Sequence, residues 1–181
     1  MPVALGKRGL AWGRGIHPLT TAEQPRKREG DGKAPAGIFR LRQAFGYAPP
    51  EEVPWIRLPY RHLRPGTLCI DDPASVSYNC MLDDAGLDPD WKSHEAMLRG
   101  DGLYRLGVVI GHNDDPVLAG AGSCLFLHLR RGPSVPTEGC TALAQEDLER
   151  VLRWLDPAAW PVLIQLPEEE YERRRRPWSL P

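Results

Sequence analysis

Nothing in this sequence is long and apolar enough to cross a bilayer as a helix, which takes about 20 predominantly apolar residues, so no transmembrane segment is expected. The opening residues, Met1-Pro2-Val3-Ala4-Leu5-Gly6-Lys7-Arg8-Gly9, hold no apolar core of a secretory leader, and the chain is expected to carry no signal peptide. Neither sign of charge is in excess. Lys and Arg number 23 against 24 Asp and Glu, so composition makes no electrostatic case for nucleic acid. Cysteine is scarce: Cys69, Cys80, Cys124 and Cys140 form no C-x-x-C and no zinc-ligand spacing. Internal repeats are missing too. What remains is ample proline (19) and glycine (18), which favours many short strands and turns over a helical bundle. The chain's 181 residues, 41% apolar and 26% charged, suffice for one globular domain with a sizeable core.

Short strands are expected at Val3–Leu5, around Ile38 and Phe39, at Thr67–Ile70, Tyr104–Ile110, Ser123–Leu129 and Pro161–Leu166. The segment from Gln43 to Pro65 carries Pro49, Pro50, Pro54, Pro59 and Pro65 and is expected to be irregular, its aromatic residues serving as packing. Trp91–Leu98 reads as a short helix capped by Ser93. The clearest helix follows Cys140: Leu148, Val151, Leu152 and Leu155 make one apolar stripe, and Pro157 ends it. Residues 6–33 read as glycine-rich loop, and Lys27-Arg28-Glu29-Gly30-Asp31-Gly32-Lys33 as a solvated turn, with an anionic-ligand loop as the alternative. Glu168–Arg176 is a charge run, expected to be a solvated, frayed tail.

The chemistry concentrates in two places. Phe126-Leu127-His128 ends an apolar run, and Thr137-Glu138-Gly139-Cys140 follows, with the cysteine twelve positions after the histidine. A thiol at neutral pH is mostly protonated, and an imidazole can take its proton and later return it to a leaving group. Gly139 lets backbone amides approach a developing oxyanion. Each residue alone has a blander reading, Cys140 as a structural thiol and His128 as a packed histidine. His112, flanked by Gly111 and Asn113, is the competing base or a pocket-shaping residue. Period-two alternation puts Cys124, Phe126 and His128 on one face. A metal site of His112, His128, Cys124 and Cys140 is the remaining reading and lacks any recognised spacing. Cys69 and Cys80 are the expected disulfide pair, with two unpaired thiols as the alternative. His17, His62 and His94 are expected to be solvated.

Together these motifs resemble the YkuD-like L,D-transpeptidases of bacterial cell-wall metabolism. Ala34-Pro35-Ala36-Gly37-Ile38-Phe39-Arg40-Leu41 is similar to the family's T-P-x-G-x-F-x-L strand, and His128 with Thr137-Glu138-Gly139-Cys140 is similar to its H…[S/T]-x-G-C signature. Trp12-Gly13, Gly30-Asp31-Gly32-Lys33, Phe45-Gly46-Tyr47, Asp71-Asp72-Pro73, Tyr78-Asn79, His112-Asn113 and Gly120-x-Gly122-Ser123 resemble one subgroup. The likeness begins at Val3, after the place where the family's first strands ordinarily stand.

The resemblance implies a mainly β catalytic domain over residues 1–167, with two curved, mixed sheets and one principal helix at about 145–155, then a charged tail over 168–181. It implies that Cys140 attacks the carbonyl of the third-position diamino acid of a peptidoglycan stem. The terminal D-alanine then leaves, and an amine acceptor resolves the acyl-enzyme; water as acceptor makes the same chemistry a carboxypeptidase. His128 is then the base, oriented by a backbone carbonyl, and the amides of Gly139 and Cys140 form the oxyanion hole. Substrate contacts fall to His112, Asn113, Ser123, Thr137 and Arg130, with Arg131 as alternative to Arg130; Asn79 and Tyr78 are further candidates. No metal or other cofactor is implied, the partner is the stem peptide, and a periplasmic or cell-wall location follows from that substrate. Two departures stand out: Glu138 where many members have histidine, and Thr141-Ala142 where many have an apolar residue and then arginine or asparagine. They motivate a second reading, a wall-peptide binding module without turnover. A carboxylate turned toward Cys140 would disfavour the thiolate.

Overall fold

The computed structural model describes residues 1–18 and 24–181, so part of the expected 6–33 loop lies outside the described residues. Its spine is β3 (Ala34–Gly46), a long strand whose Phe39 and Leu41 face the core while Ile38 and Arg40 are only half-buried. A register shift between Leu41 and Ala44 bends the strand. One half pairs with β2 (Leu10–Trp12) and β11 (Val162–Gln165), the other with β4 (Tyr60–His62) and β8 (Leu106–Gly111). Gly37, at φ +141°, makes the first half possible: a Cβ there would lie 2.0 Å from the His17 ring.

The large sheet has the order β1-β10-β9-β8-β3-β11, with β1 at Val3–Ala4, β9 at Phe126–Leu129 and β10 at Thr141–Leu143. A second sheet has the order β6-β5-β7, from Met81–Asp83, Thr67–Ile70 and His94–Ala96. The chain is mainly β, with two sheets and two helices among the described residues. Helix α1 (Gln145–Trp154) buries Leu148 and Leu152 completely, and Leu155 closes the stripe. Glu146 and Asp147 in its first turn and Arg153 in its last suit the helix dipole.

Several expectations are corrected. Trp91–Leu98 is no helix: His94–Ala96 pairs with Leu68–Ile70, and Met97 is fully buried. Eight residues are too few to hold a helix by propensity, and the ladder to a neighbouring strand decides the conformation. The proline-rich stretch is not wholly irregular, because β3 runs on to Gly46 and β4 pairs with it. The disulfide joins Cys69 to Cys124, not to Cys80. Cys69 faces the core while Cys80 is exposed, so the two sulfurs point away from each other. The charged tail folds as α2 (Glu168–Arg175), where the Arg174 guanidinium lies 4.5 Å from the Trp12 ring and 4.6 Å from the Trp178 ring. His17 is buried beside Trp12, Phe39 and Trp178 rather than solvated.

Candidate active site

Two parallel neighbours, β9 and β10, bring the cysteine and the histidine together. The register sets Ala142 opposite His128, so Cys140, just ahead of β10, comes alongside the residues preceding His128. Phe126 and His128 share the face that meets the Tyr104 ring, at 5.4 and 5.3 Å between centroids, as period-two alternation requires. Cys124 breaks from it: its φ of +52° lies in the left-handed region, and β9 starts only at Phe126. The residues after β1 anchor the loop before Cys140, for Lys7 N–H donates to the Thr137 carbonyl and Thr137 N–H to that of Leu5. Within the loop the Thr137 hydroxyl donates to the Cys140 carbonyl (2.6 Å) and accepts from the Gly139 N–H (3.2 Å). A Cβ on Gly139 would stand 3.2 Å from the Lys33 carbonyl oxygen, tighter than ordinary contact.

Cys140 and His128 both open onto one cavity of about 480 Å³. Cys140 is nonetheless well covered, at 8% exposed, and backbone groups enclose its sulfur. Phe126 N–H donates to it at 3.4 Å, and the thiol points at the Cys124 carbonyl at 3.7 Å. Burial, and next the charge of Glu95, push the thiol up to about 12, against the help of the Phe126 amide, Lys27 and the Tyr104 hydroxyl. The resting group is therefore a thiol. His128 Nδ1 is held by the Leu129 carbonyl at 2.8 Å, which places its proton there and leaves Nε2 as the basic nitrogen. Burial lowers the imidazole's pKa, and the Leu129 bond opposes that. A neutral imidazole that shares a cavity with a neutral thiol suits a proton acceptor for an attacking sulfur.

Of the other sequence-derived residues, Ser123 and Thr137 line the cavity. Arg131 lines it as well, ion-paired to Asp101 at 3.2 Å, whereas Arg130 does not. His112 and Asn113 lie in the interior, outside the cavity wall. His112 accepts from the Arg14 N–H and donates to the Ala121 carbonyl, and the Asn113 amide ties the Leu118 and Gly122 backbone. Asn79 binds the His112 and Asn113 carbonyls and the Cys124 N–H, which fixes the cavity wall from behind. Glu138 turns outward to Lys7. With Cys124 in a disulfide and both His112 nitrogens engaged, the four-residue metal set cannot assemble, and among the described residues no other His, Cys, Asp or Glu group can hold a metal ion.

Sequence reasoning missed the cavity's other walls. The Lys27–Lys33 turn is not solvated throughout: Lys27 is buried in an ion pair with Asp31 at 2.7 Å, and Glu29 accepts from Tyr78 and Ser123. The small sheet and the segment after it add Asp71, His94, Glu95 and Arg99, and Tyr104 stands between Glu95 and His128. No spacing in the sequence signals them, since they come from segments far apart in the chain. None of the curated proteins and none of the solved structures matches the chain. The model of the YkuD family, described as the L,D-transpeptidase catalytic domain, matches residues 1–164, and the chain belongs to that family.

Proposed function

We propose that the chain is a cysteine acyltransferase acting on peptidoglycan stem peptides, with Cys140 as nucleophile and His128 as base. The observation that carries this reading is the shared cavity: a covered thiol just ahead of β10 and an imidazole on its parallel neighbour β9, bonded through Nδ1, line one space open to a peptide. The Cys140 proton passes to His128 as the sulfur attacks the carbonyl of the third-position diamino acid. The Gly139 and Cys140 amides receive the developing oxyanion, the Gly139 N–H exchanging its long bond to Thr137 for the substrate oxygen. Collapse of the tetrahedral intermediate expels D-alanine, which takes the proton back from His128, and an amine of a second stem resolves the thioester. Ser123, Thr137 and Arg131 are the substrate contacts that the cavity lining favours. The Cys69–Cys124 disulfide supports an oxidising compartment, in keeping with a periplasmic or cell-wall location.

Intact-protein mass spectrometry after exposure to a carbapenem or a stem tetrapeptide tests the reading. One acyl adduct is expected on the wild type and none on Cys140→Ala, with circular dichroism unchanged. An undiminished adduct on the variant would end the proposal, and binding without any adduct on the wild type would favour a non-catalytic module. Product analysis then separates cross-linked stems from tripeptides released by water.

A further inference from the structure

Tyr104 and Glu95 take no part in the steps above, yet both line the cavity with Cys140 and His128. The Tyr104 ring is fully used as packing, edge-on to Phe45, Phe126 and His128 at 5.8, 5.4 and 5.3 Å. A phenylalanine would serve all of those contacts. The hydroxyl is the expensive part, since a buried O–H must be satisfied. It donates to Glu95 Oε1 at 2.6 Å, and Arg99 donates to the same oxygen at 3.0 Å. Arg99 is itself gripped by Asp101, at 3.0 and 2.7 Å.

We infer that Tyr104 is a hydrogen-bond donor to the Cys140 sulfur when that sulfur carries negative charge, and that Glu95 is the positioning residue that decides where the phenol proton points. The inference rests on Cys140 being the nucleophile. With Glu95 ionised, the phenol O–H points at the carboxylate, and the carboxylate's charge opposes a thiolate. With Glu95 protonated, its O–H donates to the phenol oxygen, the phenol O–H turns to the sulfur, and the opposing charge is gone. No proton is created or lost in this rearrangement; the one on Glu95 comes from solvent and the one leaving Cys140 goes to His128.

The balance of groups around both residues agrees. Facing Cys140 are Glu95 from β7, Tyr104 ahead of β8, His128 on β9, Lys27 from the 24–33 turn and the Phe126 amide. Facing Glu95 are Tyr104, Arg99 and Asp71. Burial raises the Glu95 pKa, the hydrogen bond from Tyr104 and the charge of Arg99 lower it, and Asp71 raises it again. The Tyr104 hydroxyl lowers the Cys140 pKa, whereas Glu95 raises it.

Alkylation of Cys140 by iodoacetamide, followed from neutral to alkaline pH in a Cys80→Ser background, tests this directly. In Tyr104→Phe the rate at neutral pH is expected to fall about tenfold as the profile moves alkaline, the equivalent of one pKa unit. In Glu95→Gln the amide can donate to the phenol oxygen and carries no charge, so the rate is expected to rise about tenfold. Opposite shifts from two bonded neighbours are not what loosened packing produces. Shifts in the same direction, or an unmoved profile in either variant with an unchanged urea midpoint, would overturn the inference. A carbapenem acylation series gives the second readout, with the loss in Tyr104→Phe expected in the maximal rate rather than in the half-saturating concentration. If wild-type Cys140 alkylates only after unfolding, the nucleophile assignment fails, and this inference fails with it.

Discussion

At the scale of single residues, the two buried histidines differ in what their surroundings demand of them. His128 keeps Nδ1 on a carbonyl and lines the cavity, and its lowered pKa favours the neutral form that the proposed role as base requires. The acid limb of the acylation rate is therefore expected below pH 6.5, the ordinary histidine value, and a carbapenem pH profile measures it. A limb at or above that value contradicts the argument. His112 has no open nitrogen. Burial pushes it down to about 4 from 6.5, and a second ring proton would face the Arg14 N–H. The unfolded chain then binds a proton that the folded chain refuses, so stability rises with pH between about 4 and 6.5 and is lost on acidification, by up to roughly 3 kcal/mol. Urea unfolding midpoints across that window are expected to flatten in a His112→Gln variant, relative to the wild type.

At the scale of elements, the loop before β10 and the last helix show how side chains set backbone. Thr137 closes the loop before Cys140 through two hydrogen bonds. Thr137→Val keeps the shape and loses both, so a stability loss of about 1–2 kcal/mol is expected. Carbapenem acylation should slow further than that loss explains, because the Gly139 amide is no longer aimed. Helix α2 is held differently. Its Arg174 lies between two indoles and pairs with Glu170 at 3.0 Å. Arg174→Ala is expected to cost about 1–2 kcal/mol in thermal or urea unfolding while leaving acylation unchanged, since α2 does not line the cavity. Lysine at that position restores charge but not the planar stack, and only part of the loss should return. The apolar stripe of α1 was legible from spacing alone, because a helix stripe is a local pattern. The strand at His94–Ala96 was not, because its partner, Leu68–Ile70, is supplied from elsewhere in the chain.

At the scale of the whole molecule, one covalent bond joins the small sheet to the wall around Cys140. Cys69 lies on β5, and Cys124 offers its carbonyl to the Cys140 thiol. The bond closes a separation of 55 residues, worth about 4 kcal/mol in the chain-entropy account. A Cys69→Ser, Cys124→Ser variant is expected to lose stability of that order and to acylate more slowly, because β5 holds β7, which carries one side of the cavity. Cys80→Ser, which removes an exposed thiol, is the control and should change neither.

The sequence alone carried the mainly β character and the helix after Cys140, because each is written in residues close together in the chain, and the proposal of a His128–Cys140 pair comes from an equally short stretch. The bend of β3, the true partner of Cys69 and the convergence of Lys27, Asp71, Glu95 and Tyr104 on one cavity were decided only by the tertiary structure. Periodicity and motif report what a residue's near neighbours require. Which distant strand completes a ladder, and which distant charge ends beside a sulfur, depend on how two sheets pack, and no local pattern contains that.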